Sequence, residues 1–322
     1  MLRPARHLCV GFAGQSITPE LRSLVRRGVR AVSLRATNAG TPDEVRALCS
    51  AIRALTDEPI LIAVDHEGGS VQHLQQGFAA LPALRDVPTP EKAHQLGRLM
   101  AAELRSVGVD LNLAPVVDVD SNPANPVIGA RAFGADPKHV AACCVAMIQG
   151  MHVGGLAACA KHFPGHGDTD LDSHALLPRL NHTLERLESI ELVPFRAAMR
   201  AGVDAIMTAH IEFAAVDPGA PATLSPTVID GLLRCEMGYT GVVISDDLEM
   251  DAITRHHDIA HAAIRAVAAG VDLVLCCSNP DRQHAILDAL DDAARHGALD
   301  SNMLIASATR LDRLLASRAT LE

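Results

Sequence analysis

Residues 161 to 174, KHFPGHGDTDLDSH, place three histidines and three aspartates within fourteen positions. Groups of this kind hold, lose or pass protons near neutral pH. Pro164, Gly165 and Gly167 interrupt the run and predict a mobile polar loop rather than a core strand. Asp168, Asp170 and Asp172 match the opening of a calcium loop, but Ser173 occupies the glycine position and Arg179 the bidentate glutamate position, so that reading fails. Divalent-metal ligation by His162, His166, His174 and an aspartate is chemically admissible, although no HExxH or HxH spacing accompanies it. A third reading makes His174, two residues after Asp172, a carboxylate-oriented imidazole that shuttles a proton into a pocket.

A second concentration of chemistry lies in GVVISDDLEM, an apolar strand ending in Asp246 and Asp247. Neighbours on a strand point to opposite sides, so one carboxylate faces a pocket and the other turns toward a loop or helix. Asp246 suits a nucleophile toward an electrophilic sugar carbon. Asp247 reads more simply as a cap for the following segment. No GxxxxGK phosphate loop or GxSxG elbow is present, and the glycines of DHEGGSVQ lack dinucleotide-turn spacing.

The elements that must position these groups follow from periodicity. Eight β-rich runs are expected at 8–13, 30–36, 59–65, 110–119, 156–163, 204–211, 241–247 and 272–278, apolar throughout as strands covered on both faces require. Amphipathic helical stretches separate them, several opening on Thr, Ser, Asp or Pro and closing on Gly. This alternation predicts an α/β fold, a single (β/α)8 TIM barrel over residues 1–322, with a doubly wound open sheet as the competing topology. Asp65, Asp118, Lys161, His162, His210, Asp246 and Asp247 all fall at C-terminal ends of expected strands. That is the active-site face of a barrel, although each residue alone could simply cap a helix or bind a loop amide.

Composition narrows the ligand. With 28 Lys+Arg against 38 Asp+Glu, the net charge is −10, and no basic block exists to bind nucleic acid. Trp is absent, and one Tyr and six Phe cannot build a long stacking groove for polysaccharide or single strands. A compact pocket for a small polar ligand is favoured. The eight cysteines form no CxxC pair and read as small core residues. Apolar runs are too short for a membrane span, and the N-terminus does not resemble a secretion signal, so a soluble cytoplasmic protein is expected.

Taken in order, VDHEGGSVQ, GVDLNLAPVVDV, NPVIGARAFG, KHFPGHGDTDLDSH, MTAHI, ATLSP and ISDDLEM resemble glycoside hydrolase family 3, in its bacterial β-N-acetylglucosaminidase (β-hexosaminidase) branch. The resemblance implies a (β/α)8 barrel, Asp246 as a nucleophile forming a glycosyl-enzyme intermediate, and His174 paired with Asp172 as general acid and then base. It further implies that Asp65, Arg131, Lys161 and His162 hold hydroxyls of the terminal sugar, with His73 beside them and His210 in support. Charge-assisted hydrogen bonds suit that task. Where the family commonly reads EGGRVQR this chain has Ser70 and His73, and where it reads FARN this chain has RATN with Thr37 before Asn38, so guanidinium groups are missing near the pocket.

The implied activity is a retaining exo-β-N-acetylglucosaminidase acting on small soluble glycans such as cell-wall fragments, with no cofactor, no metal and no obligate protein partner. A glycoside phosphorylase, a β-glucosidase of the same family, a metal-dependent hydrolase and a catalytically silent sugar-binding barrel are the alternatives.

Overall fold

The computed structural model describes residues 3–173 and 176–319. Eight parallel strands close into a barrel, β1 Leu8–Val10, β2 Ala31–Leu34, β3 Leu61–Val64, β4 Leu111–Asn112, β5 Ala157–Phe163, β6 Ala205–Thr208, β7 Val242–Asp247 and β8 Leu273–Cys276, each paired with its neighbours in chain order and β8 with β1. The closed ring excludes the open sheet. Inward residues such as Cys9, Ala31, Leu61, Leu111, Cys159 and Met207 form one cluster inside the barrel. Alternate residues, among them Val10, Val32, Ile62, Ile206 and Val274, join the larger core between strands and helices. Both faces of most strands are therefore largely apolar, as the continuous sequence runs require, with buried polar exceptions such as Asn112 in β4.

The helices begin as their sequences dictate. Thr18, Thr41, Thr89, Asp136, Asp258 and Asn279 accept backbone amides of the first turn through their side chains. Three expectations change. The run 110–119 yields only Leu111–Asn112 plus an isolated bridge from Val116 to Lys161, since Pro115 has no N–H to extend a ladder. The stretch 183–202 is two helices, Leu184–Ser189 and Leu192–Arg200, with Pro194 allowed only because it sits in a first turn. A further helix, Ser301–Ala319, was not expected, and its Leu311 and Leu314 enter the inner barrel cluster.

All eight cysteines are free and seven are buried; Cys235 is exposed, contrary to the core assignment. At the barrel mouth, His66–Gly68 pairs antiparallel with Val71–Gln72. Gly68 and Gly69 make that turn at φ of 99° and 58°, a region open to glycine. A short parallel ribbon joins Arg179–Leu180 to Glu212–Phe213. Among the described residues no helix is long and apolar enough to cross a membrane.

Candidate active site

The C-terminal mouth of the barrel gathers the polar strand ends. Lys161, inside β5, reaches Asp65 after β3 at 2.6 Å and Glu67 in the neighbouring hairpin at 2.7 Å. Arg131 grips Glu67 with two nitrogens at 2.8 and 2.9 Å. Burial opposes the charge on Asp65, but the Lys161 ammonium, with His73 and Arg35 beyond it, holds the carboxyl at about 2. Glu67 is lowered by Lys161 and Arg131 against the same burial. Burial likewise disfavours the Lys161 ammonium, yet the two carboxylates hold its pKa above the ordinary value. The result is a rigid, ionised floor in which Asp65 and Lys161 can turn further lone pairs and N–H groups toward a polyhydroxylated ligand.

Asp118 organises the next side. Its carboxylate accepts the backbone N–H of His162 at 3.1 and 3.2 Å, the N–H of His166 at 2.7 Å, and lies 2.8 Å from His162 Nδ1. Among the described residues this leaves Nε2 as the end of the His162 ring open to a ligand. Burial, aided by the Arg131 charge, keeps that imidazole neutral by lowering its pKa well below the ordinary value. The peptide bonds Lys161–His162 and Phe163–Pro164 are both cis.

Asp246 stands at the end of β7. Its Oδ1 accepts the Asp247 amide at 2.8 Å. Burial works against the carboxylate, while His162, His210, that amide and Lys161 together hold its pKa below the ordinary value, so it is anionic at neutral pH. His210 is buried beneath, with Nδ1 2.7 Å from Thr223 Oγ1 and Nε2 3.0 Å from the Asp247 carbonyl, and so supports the β7 end rather than offering a ring nitrogen to a ligand. Asp247 differs from its expected role. Its Oδ1 does accept the Glu249 amide at 3.1 Å as a local cap, but the register shift in β7 before Asp247 leaves Oδ2 3.5 Å from Arg35 across the mouth. Burial pushes its carboxyl up to about 6.

The run 161–174 is less loop-like than expected. Lys161, His162 and Phe163 belong to β5 and are buried. Beyond them His166 is held at Nδ1 by Thr169 (3.0 Å) and at Nε2 by Ser173 (2.9 Å), all three being buried. These contacts occupy both nitrogens of His166, and among the described residues no group of three His, Cys, Asp or Glu converges as a metal site. Asp172 is half-buried and its carbonyl accepts the Leu176 amide at 2.9 Å. His174 lies outside the described residues. His73 is half-buried in the Asp65 neighbourhood, its amide 3.3 Å from the Asp65 carbonyl. Glu67 and Arg35 were not singled out from the sequence, although Glu67 lies two residues after Asp65 and Arg35 directly follows β2.

Many known proteins resemble this chain in sequence and fold. Residues 15–314 match the family model described as glycosyl hydrolase family 3 N terminal domain. A beta-hexosaminidase of Pseudomonas aeruginosa is 42% identical over 288 residues, covering 88% of this chain and 86% of that protein. A glycoside hydrolase family 3 beta-N-acetylglucosaminidase from Paenibacillus superposes with a TM-score of 0.97 at 40% identity over 99% of this chain, which spans 63% of that longer one. NagZ from Neisseria gonorrhoeae, solved with N-trifluoroacetyl-D-glucosamine, superposes with a TM-score of 0.80 at 31% identity over 94% of this chain and 96% of its own. This chain belongs to glycoside hydrolase family 3.

Proposed function

We infer that the protein is a retaining exo-β-N-acetylglucosaminidase that removes terminal β-linked N-acetylglucosamine from small soluble glycans, cell-wall fragments among them. The observation that carries this reading is the anionic Asp246 on a rigid strand end, facing a mouth whose other polar groups are ionised or fixed by hydrogen bonds. The names of the relatives above give the sugar. Eight free thiols suit the cytoplasm as its compartment.

In the first half-reaction an Asp246 carboxylate oxygen bonds to the anomeric carbon as the glycosidic C–O bond breaks, and the His174 imidazolium gives its proton to the departing oxygen. In the second, neutral His174 takes a proton from water, the hydroxyl adds to the anomeric carbon, and the Asp246–carbon bond breaks, so two inversions give net retention. Asp172 orients and stabilises the imidazolium. Asp65, Arg131, Lys161, His162 and His73 serve the sugar hydroxyls. Of these, Arg131 is already committed to Glu67 by two hydrogen bonds, which makes it as much a brace for the floor as a ligand to sugar.

Turnover of a chromogenic N-acetylglucosaminide by the wild type, and its loss by a factor of about 10³ or more in Asp246→Asn with the fold retained, is the expected outcome. Mass spectrometry after a slow 5-fluoro N-acetylglucosaminyl donor should locate the sugar on Asp246. Wild-type inactivity on hexosaminides, or label on another residue, overturns the reading. Release of sugar 1-phosphate when phosphate is added would replace hydrolysis by phosphorolysis.

A further inference from the structure

Arg35 directly follows β2, and its backbone is locked there. Its amide donates to Asn38 Oδ1 at 2.8 Å, and Asn38 Nδ2 in turn donates to the carbonyls of Phe12 and Gly14 at 3.1 and 2.7 Å. The side chain lies over the mouth, 35% exposed, with its guanidinium 3.5 Å from Asp247 Oδ2. It also rests against the Cys277 thiol and faces Asp65 and His73. A 3.5 Å contact is long for a hydrogen bond, so Asp247 anchors the guanidinium by charge and, among the described residues, most of its five donors stay available to a ligand.

The ring order places β3 opposite β7, with β2 beside β3. A sugar whose anomeric carbon meets Asp246 on β7 therefore turns its far pole, C4 with its neighbours, toward Asp65 and Arg35. On that side His73 stands where the family commonly carries a guanidinium. Burial, with the Arg35 and Lys161 charges, lowers the pKa of this imidazole, so it presents only one N–H at neutral pH. Arg35 supplies a guanidinium on the same side from a different strand.

The geometry points to Arg35 as a substrate-binding residue that donates hydrogen bonds to the hydroxyls at the far pole of the terminal sugar, alongside Asp65. This rests on the glycosidase reading above and adds a recognition group to it. The consequence is that a guanidinium on this side of the pocket comes from the end of β2 and not from the turn that carries His73.

The test is a cycle between variant and substrate. Arg35→Ala should lower kcat/KM on an aryl N-acetylglucosaminide by roughly 10- to 100-fold, the cost of a hydrogen bond to a charged group, and Arg35→Lys should fall between it and wild type. On the 4-deoxy or the 6-deoxy donor the penalty of Arg35→Ala should shrink toward unity, because the partner hydroxyl is already gone. Adding His73→Arg to Arg35→Ala should recover several-fold. Thermal unfolding of each variant checks that the fold persists. An Arg35→Ala penalty equal on the parent and both deoxy donors, or no penalty at all, overturns the assignment. Neither outcome bears on Asp246, whose own variant and label report separately.

Discussion

Asp246 and Asp247 share a backbone but not an environment. Burial opposes both charges, but Asp246 has Lys161 and the His162, His210 and amide donors on its side and is held below its ordinary pKa, whereas at Asp247 burial prevails, with the Glu249 and Asp246 carboxylates adding to it and the Glu249 amide and Arg35 compensating only in part. Its carboxyl is raised from 3.8 to about 6. For an acid whose folded value exceeds its unfolded one, the folded state binds the proton more tightly, so the contribution is fully present below pH 3.8 and is lost as pH rises through about 6. Asp247→Asn removes that loss. Relative to wild type, the variant should gain about 2 kcal/mol between pH 4 and pH 7.5, read by denaturant unfolding at both pH values. A wild-type-to-variant difference that stays flat with pH would show that Arg35 compensates the charge fully. Asp246 and the Lys161–His162 pair were legible at this scale because they sit in long apolar runs that end abruptly in charge. Glu67 and Arg35 were not, since one lies in a turn read only for its glycines and the other ends a run read only for its strand. Their importance comes from cross-strand proximity, which no local pattern encodes.

The segment after β5 works as an element because several weak ties converge on it. Asp118 accepts its His166 amide as well as that of His162 at the end of β5, Ser121 Oγ donates to Asp168 at 2.9 Å, and Asn125 Nδ2 donates to the His166 carbonyl at 2.8 Å. The closest approach is at Gly167, where a Cβ would fall 1.8 Å from the Val119 carbonyl oxygen. Backbone on both sides leaves no flexible atom to yield, so Gly167→Ala must displace the segment that leads to Asp172 and His174. A shift of about 1 Å in a group that handles a proton costs roughly 100-fold in rate, while the strain costs about 1–3 kcal/mol in stability. The expected outcome is a large fall in kcat with a modest fall in Tm. Gly134→Ala is the control, because its Cβ would meet nothing closer than 3.7 Å. Equal kinetic effects in the two variants would dissociate this packing from turnover. Strands and helix starts were readable here from apolar runs and capping residues. The extent of the loop was not, because the polarity of KHFPGHG suggests solvent whereas its Lys161 and His162 are buried at the strand end by Asp65 and Asp118, 96 and 44 residues away in sequence.

Viewed whole, the barrel has a polar open end and an apolar end closed by the helix Ser301–Ala319. That helix is fixed by chemistry of its own. Arg310 donates to both Asp272 carboxylate oxygens with bonds of 2.7 to 3.1 Å, Asp272 also takes Arg234 at 2.7 Å, and Arg6 near the chain start pairs with Asp312. Leu304, Ser307, Leu311 and Leu314 are buried at the three-and-four spacing of one helical face, a pattern present in the sequence but without a following strand to mark its place in the βα alternation. In a barrel of this kind chemistry belongs to the C-terminal face and the opposite face to stability. Leu311→Ala should therefore cost about 2–4 kcal/mol by opening a cavity under the strands, and leave kcat/KM within about twofold in conditions where the variant is fully folded. Denaturant unfolding and steady-state kinetics on one preparation check both halves. A stability loss without a kinetic one fits strands that hold the mouth rigid independently of how the far end is packed. A matched fall in kcat/KM would instead mean that Asp65, Lys161 and Asp246 depend on the inner layers beneath them for their alignment, and that the two ends of the barrel are mechanically one.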